Sequence, residues 1–160
     1  MLFRSRSARS AAAARERALR LLSVRARGRA ELIRTLEDRG FSAAAIAEAA
    51  ESLEAAGLLD DLAAARSAVR TRGARHGRGR VERELHARGF SKDTIAAALE
   101  AEGASQREDE ALRKAFERLW NARAHLAPPL RRRRVFDALT RRGFPAEKIS
   151  DIIRNWYAVD

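Results

Sequence analysis

The chain has 160 residues, of which 33 are Lys or Arg and 22 are Asp or Glu, so its formal net charge is +11. It contains no cysteine, which excludes disulfides and thiol-bound metals, and no apolar run approaches the ~20 residues that span a membrane. We therefore expect a cytoplasmic protein whose partner is polyanionic: nucleic acid, an anionic membrane or an acidic protein surface.

The first predicted elements are a flexible basic arm over residues 1–14 and a three-helix repeat over residues 15–57. Apolar residues at helical spacing predict its helices: Ala18, Leu19 and Leu22, then Leu32, Ile33 and Leu36, then Ile46, Ala49, Ala50 and Leu53. Gly40 ends the second helix, because glycine takes the positive φ of a helix C-terminus at little steric cost. Ser42 caps the third helix, which ends near Gly57.

A second repeat is predicted over residues 58–103. Its first helix starts at Asp60 or Asp61. Helix capping explains this acidic pair better than metal binding or acid–base chemistry, since no further carboxylate or histidine has a suitable spacing. That helix gives way to a basic, glycine-containing connector from Arg72 to Arg80. Gly89 then ends the second helix, as a glycine does in the first repeat.

A third repeat is predicted over residues 104–160. Its first helix opens with a capping-box pattern from Ser105 to Glu108. Pro128 can open the second helix, where the missing N–H of proline is harmless. Trp120 and Trp156 follow the apolar spacing of their helices, so we interpret them as packing residues rather than as platforms for stacked bases.

One phrase recurs in all three repeats: Arg39-Gly40-Phe41-Ser42, Arg88-Gly89-Phe90-Ser91 and Arg142-Gly143-Phe144-Pro145. Its glycines are 49 and 54 residues apart, which is the period of a repeat protein. A helix C-cap followed by a core phenylalanine explains the phrase better than a binding motif used three times. We predict an all-α fold, in which three tandem three-helix repeats form an elongated, curved array.

Arginine clusters lie between the first and second helices of each repeat, and they are the predicted binding residues. Their members are Arg25, Arg27 and Arg29 in the first repeat, Arg72, Arg75, Arg78, Arg80 and Arg83 in the second, and Arg131, Arg132, Arg133 and Arg134 in the third. Arginine makes bidentate contacts with phosphate and carboxylate, and the shared position predicts one basic ridge along the array. The alternative is a set of solvated connectors and surface patches.

The sequence shows no pattern typical of an enzyme. His76, His86 and His125 match no metal pattern, and the chain lacks both a phosphate-binding glycine loop with its Lys-Ser/Thr and a nucleophile elbow. We therefore expect no catalytic activity, metal or cofactor. We also expect a monomer, since no apolar stripe is left over for a strong dimer.

The chain resembles the RecX family, bacterial regulators of the RecA recombinase, over residues 15–157. The segment from Leu32 to Phe41 is similar to the family's helix ending in Lys/Arg-Gly-hydrophobic. Gly57-Leu58-Leu59-Asp60-Asp61 is similar to its Gly-Leu-Leu/Ile-Asp-Asp signature, which is the most specific part of the resemblance. The basic stretch before Val81-Glu82-Arg83-Glu84-Leu85 is similar to the family's glycine-containing element, with Gly77 matching the second glycine.

The chain departs from the family pattern at three positions. Gly28 stands where the family often has a helix-capping serine, and Ala64 stands where it usually has an aromatic residue. His76 takes the place of the aromatic residue in the glycine-containing element.

This resemblance implies a regulator that lies in the helical groove of the filament that RecA forms on single-stranded DNA, where it bridges subunits. Such a protein restrains ATP hydrolysis and strand exchange, and so acts in recombinational repair and the SOS response. Its partners are the RecA filament and the DNA within it, with free DNA as a further candidate and no membrane. Two alternatives stay open: an independent DNA-binding protein built from helix-turn-helix or Myb-like repeats, and an adaptor for an acidic protein.

Overall fold

The computed structural model describes residues 10–157, and in this part of the chain all regular structure is helical. Three groups of three helices follow one another. They are α1 (Ala11–Val24), α2 (Arg29–Glu37) and α3 (Ala43–Ala55); α4 (Asp61–Gly73), α5 (Arg78–Ala87) and α6 (Lys92–Ala101); and α7 (Ala104–Asn121), α8 (Pro128–Arg141) and α9 (Ala146–Tyr157). The prediction of an all-α protein with three tandem three-helix repeats is confirmed.

The first helix starts earlier than predicted. Ser10 caps α1 by accepting a hydrogen bond from the N–H of Ala13 at 3.2 Å. Ala11–Ala14, which the sequence assigned to the basic arm, are therefore helical, and the side chain of Ala14 is fully buried. Residues 1–9, the rest of the predicted arm, lie outside the described residues.

Side-chain caps begin α3 and α4 where the sequence places them. The hydroxyl oxygen of Ser42 accepts from the N–H of Ala45 at 3.3 Å, and a carboxylate oxygen of Asp60 accepts from that of Ala63 at 2.9 Å. Each cap satisfies an N–H that the first turn of a helix leaves without a partner. Both predicted caps are confirmed.

The capping box predicted from Ser105 to Glu108 is wrong. α7 begins at Ala104, directly after Gly103, whose φ is +57° and which has no side chain to act as a cap. Since only two residues separate α6 from α7, Ser105 already lies inside the first turn of α7. The carboxylate of Glu108 instead accepts from the backbone N–H of Arg78 at 2.7 Å.

The repeated Arg-Gly-Phe phrase ends α2, α5 and α8 with the same turn. The three glycines have positive φ: +81° at Gly40, +89° at Gly89 and +83° at Gly143. In each turn the phenylalanine N–H donates to the carbonyl of a leucine five residues earlier, namely Leu36, Leu85 and Leu139, at 3.2, 3.2 and 3.3 Å. This is the hydrogen bond of a Schellman C-cap, so the structural interpretation of the phrase is confirmed.

The described chain forms two compact units, and all three boundaries between them fall inside the middle repeat. Unit 1 holds the described residues up to Ser67 together with Leu85–Ile95, and unit 2 holds Ala68–Glu84 together with those from Ala96 onward. Helices α4, α5 and α6 therefore each contribute residues to both units.

The core of unit 1 comes mainly from the helices of the first repeat. Its buried members are Ala18, Leu21, Leu32, Leu36, Ile46, Ala50, Leu53 and Leu59. A smaller cluster of Ala14, Ala45 and Ala49 joins α1 to α3, where small side chains let the two helices pack closely. Phe41 of the repeated phrase is partly buried and packs against both clusters.

The core of unit 2 centres on Phe116, which is fully buried. The other buried members are Ala111, Leu112, Ala115, Leu119, Trp120, Val135, Ala138, Leu139, Phe144 and Ile149. The ring of Phe116 stacks on that of Trp120, with centroids 5.3 Å apart, and meets the edge of Trp156 at the same distance. Trp120 is thus a packing residue as predicted, and Trp156 packs on Phe116 while about a third of it stays exposed.

Candidate functional site

In unit 1, Gly28 lies where the backbone enters α2, against Phe90 of the repeated phrase. A Cβ at Gly28 would lie 2.7 Å from the Phe90 ring, a separation that real Cβ atoms do not adopt. Gly28 has no side chain to cap α2, so a carboxylate oxygen of Asp61 takes that role by accepting from the N–H of Arg29 at 2.6 Å. The aspartate pair therefore caps two different helices, since Asp60 caps α4.

Every arginine of the first cluster forms an ion pair. Arg25 and Arg27 both pair with Glu31, the second at 2.5 Å, and Arg29 pairs with Glu54 at 2.7 Å. The side chain of Arg27 is largely buried. A partner that bound these arginines would have to compete with the carboxylates of unit 1.

Glu31 collects three guanidinium groups. Besides Arg25 and Arg27, it receives Arg88 of the repeated phrase, whose Nε lies 3.3 Å from a carboxylate oxygen. Burial alone would raise the pKa of Glu31, but the hydrogen bonds and charges of these arginines outweigh it and lower that pKa below its usual value. Glu31 was not singled out from the sequence, and it holds two of the three arginines of the first cluster.

Unit 2 has a second glycine junction, with closer backbone contact. The N–H of Gly77 donates to the carbonyl of Arg142 at 2.9 Å, and a Cβ at Gly77 would lie 2.3 Å from the carbonyl oxygen of Gly143. A carboxylate from another helix again supplies the cap, because Glu108 accepts from the N–H of Arg78. The glycine that the sequence matched to the RecX element is thus a packing glycine.

Buried carboxylates of unit 2 act as internal counter-ions. Glu108 is paired with Lys148 at 3.1 Å, and Lys148 also reaches Asp109 at 2.6 Å. The hydrogen bond to Asp109, reinforced by Glu108, raises the pKa of Lys148 against the opposite effect of burial. Glu102, whose side chain is 4% exposed, is held in the same way by two arginines of unit 2.

The connector predicted from Arg72 to Arg80 is mostly helical. α4 continues to Gly73 and α5 begins at Arg78, which leaves only residues 74–77 between them. The carboxylate of Glu108 supplies the cap at Arg78 that allows α5 to start there. Arg72 therefore lies at the end of α4, Arg75 in the short turn, and Arg78, Arg80 and Arg83 on α5.

Only some arginines of the second cluster form ion pairs. Three members pair with glutamates of α5: Arg72 and Arg80 with Glu84, at 3.5 and 3.0 Å, and Arg78 with Glu82, at 2.7 Å. Arg75 and Arg83 are exposed, and neither forms an ion pair within residues 10–157. These two arginines keep a charge that an external anion can contact.

The third arginine cluster lies near the beginning of α8, and its members also differ in their contacts. The Nε and Nη2 of Arg131 donate to the carbonyl of Trp120 at 3.0 and 2.7 Å, and the guanidinium carbon lies 4.0 Å from the centre of the Trp120 ring. Arg131 is thus part of the packing of unit 2. Arg133 and Arg134 are exposed and have no carboxylate partner in the described part of the chain.

An open groove runs beside this cluster, between α8 and α9 in unit 2. Its volume is about 430 Å³, and Phe136 and Ile153 contribute apolar surface to it. Arg132, Arg133 and Arg154 line the same groove. The groove therefore combines positive charge with apolar surface.

A cavity of about 290 Å³ lies in unit 2 next to the end of α4, and His76 lines it. The Nδ1 of His76 is buried and makes no hydrogen bond. Burial, followed by the charge of Arg80, lowers the pKa of His76, which favours the neutral imidazole. Within residues 10–157, no group of three or more His, Asp or Glu side chains is arranged to hold a metal ion.

No helix between residues 10 and 157 combines the length and the apolar character needed to cross a bilayer.

Three family models match the chain in order. They are the first three-helix domain of RecX at residues 14–53, the second at residues 60–99 and the third at residues 107–153. No curated protein matches significantly.

Two solved structures share the fold. One is a crystal structure of regulatory protein RecX, which is 24% identical with a TM-score of 0.77 over 91% of this chain and 73% of that one. The other is RecX from Lactobacillus salivarius, 23% identical with a TM-score of 0.76 over 91% of this chain and 95% of that one.

Proposed function

Because the chain belongs to the RecX family, we propose that it is a non-catalytic regulator that binds the filament of RecA on single-stranded DNA. In this proposal it acts in the cytoplasm, where it restrains ATP hydrolysis and strand exchange during recombinational repair and the SOS response. The observation that carries the proposal is the presence of all three RecX domains, in order, between residues 14 and 153.

Four exposed arginines of unit 2 form the contact surface in this proposal. Arg75, Arg83, Arg133 and Arg134 have no ion pair among the described residues, whereas the first cluster is occupied by Glu31 and Glu54. An unpaired guanidinium can bind phosphate or carboxylate bidentately without first breaking an internal pair. We name these four residues the unpaired arginines, and we expect them to contribute most of the electrostatic contact.

Two double variants test this surface. The variant Arg75→Gln with Arg83→Gln removes two unpaired charges. The matched control, Arg20→Gln with Arg113→Gln, removes two exposed charges that belong to i,i+4 pairs on helix surfaces. Since a charge-assisted hydrogen bond contributes about 1.5–3 kcal/mol, we expect the first variant to bind RecA filaments at least about tenfold more weakly.

Filament binding is measured by co-sedimentation, with circular dichroism to establish that both variants are folded. The control is expected to bind like the wild type. Equal weakening in both variants would show that only net charge matters, and the assigned surface would then be wrong.

Free DNA is the second candidate partner, because the unpaired arginines fit a phosphate backbone whether or not RecA is present. Affinity for naked DNA would then fall steeply with salt, since each neutralised phosphate releases counterions. Negligible binding to naked single- and double-stranded DNA at physiological salt would eliminate this candidate and leave the filament.

A further inference from the structure

The groove between α8 and α9 in unit 2 has an apolar floor. Phe136 of α8 and Ile153 of α9 pack against the core of unit 2 but are only partly buried, and both line the groove. Pockets that hold small ligands have volumes of about 300–1,000 Å³, so the groove, at about 430 Å³, has room for a bound side chain. An apolar group that entered it would leave water and contact both residues.

Arginines lie beside both apolar residues of this floor. Arg132 and Arg133 precede Phe136 by one turn of α8, and Arg154 directly follows Ile153 on α9. All three arginines line the groove, whereas none of the described residues that line it is acidic. Positive charge therefore reaches the apolar floor from both helices.

Two of these charges are available to an external anion. Arg133 is exposed and forms no ion pair within residues 10–157. Arg154 pairs with Asp151 at 3.4 Å, but the side chains are 74% and 61% exposed. Because an ion pair in such contact with water contributes little to stability, an incoming carboxylate can replace Asp151 at small cost.

An acidic peptide fits this groove better than a nucleic-acid strand. Proteins that hold single strands stack successive bases on several aromatic side chains. Among the described aromatic side chains of unit 2, Phe116, Trp120 and Phe144 are buried and Trp156 packs on Phe116, so the groove offers a strand Phe136 alone. An aliphatic side chain needs no such series, and peptide carboxylates accept bidentate hydrogen bonds from arginine.

We propose that the groove between α8 and α9 binds an acidic peptide segment of a partner protein. One apolar side chain of the peptide packs on Phe136 and Ile153, and the carboxylates beside it accept hydrogen bonds from Arg133 and Arg154. This binding needs neither RecA nor DNA, so it does not depend on the proposed regulation.

The test is a titration of the isotope-labelled full chain, followed by amide NMR spectra, with a short synthetic peptide in which one leucine lies between pairs of glutamates. We expect this peptide to shift the amide signals of α8 and α9 around the groove in a saturable way. Replacement of its leucine by serine removes the apolar contact and should weaken binding about tenfold or more. Replacement of its glutamates by lysines should abolish the saturable shift.

Two variants of the protein test the charge. Arg154→Gln and its matched control Arg113→Gln each remove an exposed arginine that pairs with a carboxylate of its own helix. We expect Arg154→Gln to bind the acidic peptide about twofold to fivefold more weakly, as for one partly exposed ion pair, and Arg113→Gln to bind like the wild type. Arg154 is not one of the unpaired arginines, so the proposed filament surface stays intact in both variants.

Four results would overturn the proposal. They are unchanged groove amides at millimolar acidic peptide, equal binding of the leucine and serine peptides, equal binding of the peptide to the two variants, and a stronger perturbation of the same amides by another ligand. Oligothymidylate as that ligand would assign the groove to nucleic acid, and vesicles of anionic phospholipid would assign it to a membrane surface. RecA is absent from every sample, so failure of this site and failure of the proposed regulation are distinguishable.

Discussion

Gly77→Ala tests the close approach of the Gly77 backbone to that of Gly143 within unit 2. The new Cβ would lie 2.3 Å from the carbonyl oxygen of Gly143 and 2.5 Å from the N–H nitrogen of Phe144, where ordinary contact begins at 3.4 Å. The opposing backbone must therefore retreat by roughly 1 Å, which disrupts the 2.9 Å hydrogen bond from Gly77 to Arg142. Overpacking costs about 1–3 kcal/mol and the lost hydrogen bond about 1 kcal/mol.

We therefore expect Gly77→Ala to lower the free energy of unfolding by about 3 kcal/mol. For a chain of this size, that loss corresponds to a fall of about 6–12 °C in Tm. The assay is urea and thermal unfolding followed by far-ultraviolet circular dichroism. Gly73→Ala is the matched control, because a Cβ at Gly73 meets no atom within 4 Å, and it should stabilise by about 0.5–1 kcal/mol. Equal effects of the two substitutions would refute the packing role of Gly77.

Substitutions at three positions test unit 1, each by urea unfolding. Asp61→Ala should cost about 1 kcal/mol because the Arg29 N–H loses its cap, and Asp61→Asn, which keeps an oxygen, should recover most of it; equal losses would argue against capping. Phe90→Ala should cost about 3–5 kcal/mol, since the side chain is 3% exposed, and a loss below 1 kcal/mol would contradict its core role. Glu31→Gln should cost about 1–3 kcal/mol at pH 7. Because the folded pKa of Glu31 is lowered, its stabilisation is present above the unfolded pKa of about 4.5 and is lost as pH falls through the folded value, so the gap to the wild type should close in acid. A gap that is independent of pH would exclude an ionic origin.

Local signals in the sequence were sufficient for the repeated glycine turn and for two of the predicted helix caps. The positive φ of Gly40 and the caps at Ser42 and Asp60 depend on residues within one turn of each other, so the chain itself specifies them. The capping box at Ser105 failed because Gly103 joins α6 to α7 almost directly, and that geometry depends on packing.

Contacts between residues far apart in the sequence could not be predicted from local sequence patterns. The sequence marked Gly28 as an unusual cap position, but the hydrogen bond from the Arg29 N–H to Asp61 joins residues that are 32 positions apart. The same holds for Glu108, which lies 30 residues from the Arg78 N–H that it caps. Spacing alone does not reveal which carboxylate reaches a given helix start.

The arginine clusters show most clearly what could not be predicted from the sequence. By composition Arg25 and Arg75 are equivalent, but Arg25 is held by Glu31 while Arg75 has no ion pair in the described chain. The net charge predicted an anionic partner, but it could not show which arginines form internal ion pairs and which do not. The alignment of all three clusters into one ridge stays a prediction.

The proposed regulation of RecA is tested by the rate of ATP hydrolysis by RecA filaments on single-stranded DNA as this protein is added. We expect the rate to fall in a saturable way with micromolar protein, and we expect Arg75→Gln with Arg83→Gln to shift the curve to higher concentration while Arg20→Gln with Arg113→Gln does not. A rate that stays unchanged while the wild-type protein is folded and in excess over the filament would rule out the proposed regulation.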